Sequence, residues 1–394
     1  MDQPSPELKA SAGSGPIGDA DDAPAARRRD ASLRERGGET LILAVAGSMA
    51  LILGLLCAAS LLFIIGLGIG APTLAWLTAL LALGAAAAAL RWIIAPDRPA
   101  GARAGRSASL LSEGAPLGAE SALTAALLLI TVLWLAAILL AGSVYDWSWD
   151  GQHYHQELVI QLARGWNPVW ESFRVADVGL VDGELDLWIN HYPRAAGALG
   201  AAVYGLTGAI ETAKFFNPLL IALTGLYAAA LLRRIAGFAW LWAALFGAAL
   251  ALNAVASAQA LSFYIDGASF AALALIALAG AHLIWLGPDL KAAEGRAPLL
   301  ILTAAIILSA TLKFTGLVFA VFVLLFVGFA ALWRARGRIA EILPLAAASF
   351  GAGVLCLLLL GVSPYLQNLV VAGHPFHPVM GRTARDRRAA CCAS

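Results

Sequence analysis

The sequence predicts an all-α polytopic membrane protein, and three observations support this class. Hydrophobic residues make up 60% of the 394 positions and charged residues 13%, and the mean hydropathy is +0.79, which is typical of membrane proteins. Apolar runs of the length that crosses a bilayer as a helix recur along the chain. Polar residues are concentrated in one stretch, 143–211, and at the two ends. The net charge of +1 gives no reason to expect a nucleic-acid partner.

The first 39 residues predict a disordered cytoplasmic tail. They are rich in Pro, Ser, Ala, Gly, Asp and Arg and lack apolar periodicity. They do not form a signal peptide, because the apolar run begins too late and no small-residue cleavage site follows it. Five arginines between positions 27 and 36 precede the first apolar run, which places this tail in the cytoplasm.

Nine membrane spans follow, and alternating them from a cytoplasmic tail separates the charges. Most of the lysine and arginine residues then lie inside, as the positive-inside rule requires, and the acidic stretch 143–211 lies outside. The predicted spans are 40–66, 72–94, 120–142, 212–234, 237–260, 267–287, 298–312, 315–333 and 342–362.

The stretch 143–211, here called the acidic loop, holds nine acidic residues against three arginines, together with five tryptophans. Tyr154, Leu158 and Leu162 recur at helical spacing, which predicts an interfacial helix that ends near Gly165. The tryptophans suit the headgroup level of a bilayer. Residues 195–208 are small and apolar but too few to span, and they predict a second interfacial or re-entrant helix.

This topology brings ionisable residues from distant parts of the chain to the outer face. Such groups at a membrane boundary are costly to desolvate and tend to mark function. The four cysteines show neither Cys-x-x-Cys nor Cys/His ligand spacing, so no disulfide framework or structural zinc is expected. The outer-face set is Asp146, Asp150, His153, His155, His191, Arg194, Asp266, Lys313, His374 and His377.

Several short strings resemble, in order, those of the bacterial GT-C glycosyltransferases, which include the protein mannosyltransferase and aminoarabinose transferase branch. The resemblance covers 120–381, with two extra spans, 40–94, before it, and His374 stands where the family more often has Asn. The strings are Asp150-Gly-Gln-His-Tyr-His155, Asn190-His-Tyr-Pro193, Phe263-Tyr-Ile-Asp266, Thr311-Leu-Lys-Phe-Thr-Gly316, Ser363-Pro-Tyr-Leu-Gln-Asn368 and Ala372-Gly-His-Pro-Phe-His-Pro378.

The resemblance implies an inverting transferase that moves a sugar from a polyprenyl-phosphate donor to an extracytoplasmic hydroxyl of a glycan, lipid or protein. It places the chain in the bacterial inner membrane. Asp150 matches the aspartate of the family's first loop, which implies that it is the general base; the alternative is an N-cap of the following helix. Asp146 is either a second acid or a solvated residue.

Other residues have two interpretations each. Asp266 either belongs to the site or caps a span. Lys313 lies on the outer side between two short spans and suits the donor phosphate. Arg194 is either a second phosphate ligand or a snorkelling interfacial arginine. The candidates for substrate contact are Tyr154, His155, His191, His374 and His377.

A divalent ion such as Mg²⁺ or Mn²⁺, held by Asp, His and the donor phosphate, remains open. Two other functions also remain open: a transporter or flippase of a lipid-linked saccharide, and a non-catalytic scaffold. Charge-free span centres favour surface chemistry over transport. The arginine-rich segment 382–394 breaks the positive-inside pattern, and we expect it to reflect a truncated or frameshifted end.

Overall fold

Helices make up almost all of the regular structure in the computed structural model of the protein. It describes residues 22–95, 117–178, 183–286 and 293–381, and these contain no strand beyond one isolated bridge between Leu360 and Ser363. The helices are α1 (Asp22–Ile64), α2 (Pro72–Ile94), α3 (Leu117–Gly142), α4 (Gln156–Ala163), α5 (Gly183–His191), α6 (Ala195–Thr207), α7 (Phe216–Ala236), α8 (Trp240–Ala251), α9 (Ala254–Gln259), α10 (Asp266–Leu286), α11 (Ala293–Leu312), α12 (Phe314–Arg334), α13 (Ile339–Leu358) and α14 (Tyr365–Ala372).

Seven of the described helices are long and apolar enough to cross a membrane, so the protein is an all-α, multi-pass membrane protein. They are α1, α2, α3, α7, α10, α11 and α12. The predicted spans 237–260 and 342–362 instead contain shorter apolar helices, Trp240–Ala251 and Ile342–Leu358. The predicted total of nine therefore remains a prediction.

The predicted span 237–260 is broken rather than continuous. Asn253 leaves the helix with extended backbone, and its Oδ1 accepts hydrogen bonds from the backbone N of Val255 at 3.1 Å and of Ala256 at 3.2 Å. Asparagine is a favoured N-cap because it satisfies the first free N–H groups of a helix. The apolar pattern alone did not reveal that Asn253 caps α9 and so interrupts the predicted span.

The first helix begins earlier than expected and lies at the centre of the bundle. The sequence predicted a disordered tail to residue 39, whereas α1 begins at Asp22; the Ala, Arg and Glu residues that precede the span are good helix formers. From Ile42 to Phe63 the apolar side chains of α1 are largely buried, and the helix packs against α2, α3, α7 and α11. Residues 1–21, and the predicted atypical end 382–394, lie outside the described residues.

The bundle has two chemically different ends. At one, here called the loop end, the last turns of α1, α3, α11 and α13 meet the first turns of α2, α7, α10 and α12. Ser60 Oγ donates to Leu360 O at 2.9 Å there, and Tyr365 Oη donates to Ala310 O at 2.6 Å. At the other, the arginine end, Arg234 pairs with Glu294 at 3.1 Å. Which of the two ends faces the outside of the cell stays a prediction from the charge pattern.

The hairpin of α11 and α12 at the loop end depends on Gly316. A Cβ there would lie 2.2 Å from the backbone oxygen of Ser309, whose hydroxyl donates to Gly316 O at 3.0 Å. We expect Gly316→Ala to lower the free energy of unfolding by about 1–3 kcal/mol, because the helices must separate to admit the methyl group.

Thermal unfolding in detergent measures this effect, and Gly328→Ala on the same helix is the matched control. A Cβ at Gly328 meets nothing within 4 Å, so that variant should be neutral or slightly stabilised, as for an unhindered Gly→Ala change in a helix. Equal unfolding temperatures for the two variants would show that the close approach at Gly316 is unimportant.

Candidate functional site

The acidic loop is attached to the bundle through the buried carboxylate of Asp146. Its Oδ1 accepts from Ser148 N at 2.8 Å, and its Oδ2 accepts from Ser148 Oγ at 2.9 Å and from Phe263 N at 2.7 Å. A Cβ at Gly151 would lie 2.2 Å from Asp146 Oδ2, so a larger residue there would disturb this arrangement. The interpretation of Asp146 as a solvated residue is therefore wrong; it joins the loop to the segment before α10.

Asp150, unlike Asp146, has a carboxylate that is not occupied by hydrogen bonds within the described part of the chain. Its carboxylate is half-buried and forms no hydrogen bond with any described residue, including the backbone N–H groups that an N-cap would accept. It immediately precedes a π-helical turn, Gly151–His155, that leads into α4; such turns are rare and frequent at functional sites. An acidic group at this position with free lone pairs is chemically available, unlike that of Asp146.

Tyr154 and His155 occupy the π-helical turn beside Asp150. Burial, followed by the negative charge of Asp150, raises the pKa of the Tyr154 phenol, so it remains a hydrogen-bond donor. Burial also lowers the pKa of His155 to about 3, against an opposing effect of the Asp266 carboxylate. His155 is thus a neutral imidazole at physiological pH, so it does not attract a phosphate through positive charge.

Lys313 and Asp266 form an ion pair between the N-terminal ends of α12 and α10. The Asp266 carboxylate also accepts from Gln259 Nε2 at 3.2 Å, and Gln259 Oε1 accepts from Gly267 N at 2.9 Å. The side chains of Lys313 and Asp266 are 37% and 40% exposed. Exposed pairs of this kind contribute only about 0–1 kcal/mol, so an incoming anion can compete with Asp266 for the ammonium.

These groups lie close enough to interact. Asp266 and Lys313 both act electrostatically on His155, and Asp150, Tyr192 and Asp266 act on Tyr154. Residues separated by more than 150 positions in the chain therefore meet at the loop end, as the topology predicted.

A row of aromatic rings extends from this cluster to the last described segment. Burial raises the pKa of the Tyr192 phenol in this row to about 12. The row runs between two polar groups. One, here called the Asp150 cluster, consists of Asp150, Tyr154, His155, Asp266 and Lys313; the other surrounds α14. Ring centroids lie 5.8 Å apart for Tyr154–Trp188, 4.5 Å for Trp188–Tyr192, 5.4 Å for Tyr192–Phe314 and 5.8 Å for Phe314–Phe376.

Asn368 organises that second group. Its Oδ1 lies 2.8 Å from His191 Nδ1, and its Nδ2 donates to His191 O at 2.9 Å and to His377 O at 2.8 Å. The rings of His191 and His377 meet edge to face at 4.7 Å, and His374 Nδ1 accepts from Phe376 N at 3.2 Å. Burial lowers the pKa of His191. His191 and His377 thus lie together and are joined through Asn368, whereas the hydrogen bond of His374 is to its own segment.

Arg194 is neither a snorkelling side chain nor an accessible phosphate ligand. It is fully buried, lies over the Trp166 ring at 5.8 Å, and donates to the carbonyl groups of Ile189, Asn190 and Gly361. Burial lowers its pKa to about 9, so it stays charged at neutral pH. The prediction of a donor-phosphate contact is wrong for this arrangement, because the surrounding backbone already engages the guanidinium.

A buried ion pair that was not predicted lies beneath the acidic loop. Lys214 is fully buried and donates to Glu211 and to the carbonyl oxygen of Val144, while Glu211 accepts from Asp146 N at 3.2 Å. The signal was present, because a lysine at the mouth of an apolar span needs a nearby partner. Its role is to hold the loop on α7 rather than to face a ligand.

The divalent ion held by Asp, His and the donor phosphate stays a prediction. Within the described ranges, no group of three or more His, Cys, Asp or Glu residues converges on one point. His153 stacks on Trp149, with ring centroids 4.6 Å apart, instead of joining a ligand set.

The titration of His155 predicts a measurable pH dependence. An unfolded chain protonates this residue near its ordinary pKa of about 6.5, whereas the folded protein does so only near pH 3. The unfolded state therefore binds more protons between these values, and stability falls as pH decreases through them, by up to about 1.4 kcal/mol per pH unit.

Thermal unfolding in detergent from about pH 8 to about pH 5, where histidine titrates, tests this effect. We expect the wild type to lose more stability at the acidic end than His155→Gln does. Parallel pH profiles for the two proteins would show that His155 is not held neutral by burial.

Comparison of the chain with protein families, with curated proteins and with solved structures finds no match.

Proposed function

We propose that the protein is a membrane glycosyltransferase of the GT-C type, using a polyprenyl-phosphate sugar at the loop end. The observation that supports this most is the Asp150 carboxylate, which forms no hydrogen bond with a described residue and which, like Asp266, acts electrostatically on Tyr154. An available acid close to an accessible cation is what an inverting sugar transfer requires. We assign no direct role to Asp146 or Arg194, because both are buried and already hydrogen-bonded.

In the proposed reaction, Asp150 accepts the proton of an acceptor hydroxyl as its oxygen attacks the anomeric carbon of the donor sugar. The new oxygen–carbon bond forms on the face opposite the bond that breaks, so the configuration inverts. The bond from the anomeric carbon to the phosphate oxygen breaks with its electron pair, and polyprenyl phosphate leaves. The transition state is oxocarbenium-like, as in inverting glycoside hydrolysis.

Lys313 is proposed to bind the departing phosphate. Negative charge grows on that group during bond cleavage, and a positioned ammonium stabilises it more strongly in the transition state than in the ground state. In the free protein Lys313 is paired with Asp266; donor binding would exchange this carboxylate for the phosphate and free Asp266 to position the acceptor.

The aromatic row beginning at Tyr154 is proposed to lie along the sugar, with His155 as a neutral hydrogen-bonding group. The His191, His374 and His377 group lies at the far end of the row, where a larger acceptor, a glycan, lipid or protein, would extend. Trp147 and Trp149, 85% and 70% exposed, are suited to the headgroup layer. We place the loop end outside the bacterial inner membrane and the N-terminus in the cytoplasm, on the basis of the arginines at the opposite end.

One observation favours transport of a lipid-linked saccharide instead: the break between α8 and α9. Transporters use interrupted helices to form substrate sites within the membrane. However, no charged residue occurs between Gly237 and Gln259, so this break offers no group for an anionic lipid phosphate. Transfer therefore remains the better-supported function.

The direct test is to incubate membranes containing the protein with radiolabelled polyprenyl-phosphate hexoses and pentoses and to follow label transfer to membrane or protein acceptors. Membranes from cells that lack the protein are the control. Protein-dependent transfer is expected with at least one donor. Movement of label across the bilayer without transfer would instead establish the transporter, and neither activity would favour the scaffold.

A further inference from the structure

The turn between α12 and α13, at the arginine end, carries two arginines that no described residue engages. Arg334 and Arg336 are exposed and form no hydrogen bond or ion pair within the described part of the chain. Other arginines at this end have partners within the protein. Arg233 donates to Phe238 O, Arg234 pairs with Glu294, and Arg296 donates to Trp92 O and Ala95 O.

The free arginines border a cleft with an aromatic wall. A cleft of about 250 Å³ is lined by Phe329, Leu332, Trp333, Arg336 and Gly337, and an adjoining cleft shares Trp333 and Arg336 and adds Arg334. Trp333 is 77% exposed. Exposed tryptophan beside arginine is characteristic of the boundary between the headgroups and the hydrocarbon of a bilayer.

An apolar groove continues from this cleft towards the middle of the bundle. It encloses about 240 Å³ between α12 and α13, with Leu325 and Gly328 on one side and Leu345 and Ser349 on the other. On α12 the groove positions 321, 325 and 328 and the cleft position 332 recur every three or four residues. They therefore lie on one face of the helix.

This face is long enough for an acyl chain. At the rise of an α-helix, the 11 steps from position 321 to position 332 cover about 16 Å, and Arg334 and Arg336 follow at the end of the helix. One leaflet of the hydrocarbon core is about 15 Å thick, half of the usual core thickness. A chain lying in the groove would therefore place its phosphate at the level of the two arginines.

We propose that this face of α12 binds an anionic phospholipid, with its phosphate diester between Arg334 and Arg336 and one acyl chain in the groove against α13. Guanidinium groups bind phosphate oxygens through paired, charge-assisted hydrogen bonds. A zwitterionic lipid would bring a cation to the same arginines, so an anionic headgroup is the better match in charge. Anionic lipids are also enriched at the cytoplasmic leaflet, where basic pockets between helices bind them. This site is separate from the proposed transferase chemistry.

The backbone at Arg336 is consistent with a role for its side chain. It has φ of 52°, in the left-handed region that glycine adopts without strain. Substituting Gly at this position would relax the turn and remove the guanidinium. Arg336→Gly should therefore maintain or raise the unfolding temperature while weakening lipid binding.

Native mass spectrometry of the whole protein, released from nanodiscs of phosphatidylglycerol and phosphatidylcholine in equal amounts, measures the proposed binding. The wild type should retain phosphatidylglycerol preferentially. The double variant R334Q/R336Q should bind it about 25-fold more weakly, since each basic residue near an anionic surface contributes about fivefold. Preference for phosphatidylcholine, or no preference, in the wild type would overturn the proposal.

Two variants separate a specific site from general surface charge. Arg91 is also exposed, in the last turn of α2 at the same end, and Arg91→Gln removes one charge without touching the cleft. It should bind phosphatidylglycerol as the wild type does, and a loss equal to that of the single variant R336Q would overturn the proposal. Gly328→Leu fills the groove where a Cβ meets no atom within 4 Å; it should weaken retention of long-chain phosphatidylglycerol, and unchanged retention would exclude the groove as the chain site.

Discussion

Asp150→Asn is expected to reduce sugar transfer by about 10²–10⁴-fold, the contribution that a general base usually makes. The asparagine side chain has nearly the same size but cannot accept the acceptor's proton. The unfolding temperature should not change, because the Asp150 carboxylate forms no hydrogen bond with a described residue. Initial rates with the donor identified in membranes, together with thermal unfolding of the purified variant, provide both measurements.

Asp146→Asn is the matched control, since it makes the same chemical change four residues away. Asp146 is buried and accepts from Ser148 and Phe263, and a hydrogen bond to a charged group contributes about 1.5–3 kcal/mol. This variant should therefore lose stability. Wild-type transfer by Asp150→Asn would remove Asp150 as the base, and equal destabilisation of both variants would show that its carboxylate is structural.

Lys313→Met is expected to lower kcat/KM for the donor by about 10²–10³-fold, comparable to the loss of one group that stabilises developing negative charge. Stability should change by less than about 1 kcal/mol, because the Asp266 partner is partly exposed. Lys313→Arg keeps the positive charge and should recover part of the activity. Steady-state kinetics with varied donor concentration distinguishes this effect from a loss of folded protein.

Lys214→Met serves as the comparison for that experiment. Lys214 is fully buried against Glu211, and removing one partner of a buried pair typically costs about 3–5 kcal/mol. It should therefore unfold the loop end rather than alter kinetics selectively. If Lys313→Met transfers sugar at the wild-type rate, the donor phosphate binds elsewhere.

The helical class and the meeting of distant residues could be predicted because they depend on long, regular signals. Apolar runs mark helices, and the arginines at their ends separate the two faces of the bundle. From these alone, Asp150, Asp266 and Lys313 were expected at one end, where the structure places them. The helix after Tyr154 and its end near Gly165 were also predicted, from apolar spacing and the glycine itself, which has φ of 98° in the structure.

What could not be predicted depends on individual hydrogen bonds and close contacts. The sequence around Asp146 and Asp150 does not show which carboxylate is buried and occupied, because one donor to Asp146 is Phe263 N, 117 positions away. Arg194 resembled an interfacial arginine until its carbonyl partners at 189, 190 and 361 were known. The helix predicted at 195–208 is present as α6, and its burial by neighbouring helices could not be foreseen; its interfacial or re-entrant position stays a prediction.

The account depends most on the loop end facing the outside of the cell, where a lipid-linked sugar would be presented. Single cysteines at Trp147 and at Arg336, in a background with Cys57, Cys356, Cys391 and Cys392 replaced by serine, can be treated with a membrane-impermeant maleimide. Intact cells should label position 147, and position 336 should label only after permeabilisation. Labelling of both from outside, or of position 336 alone, would contradict the proposed orientation and the reaction assigned to it.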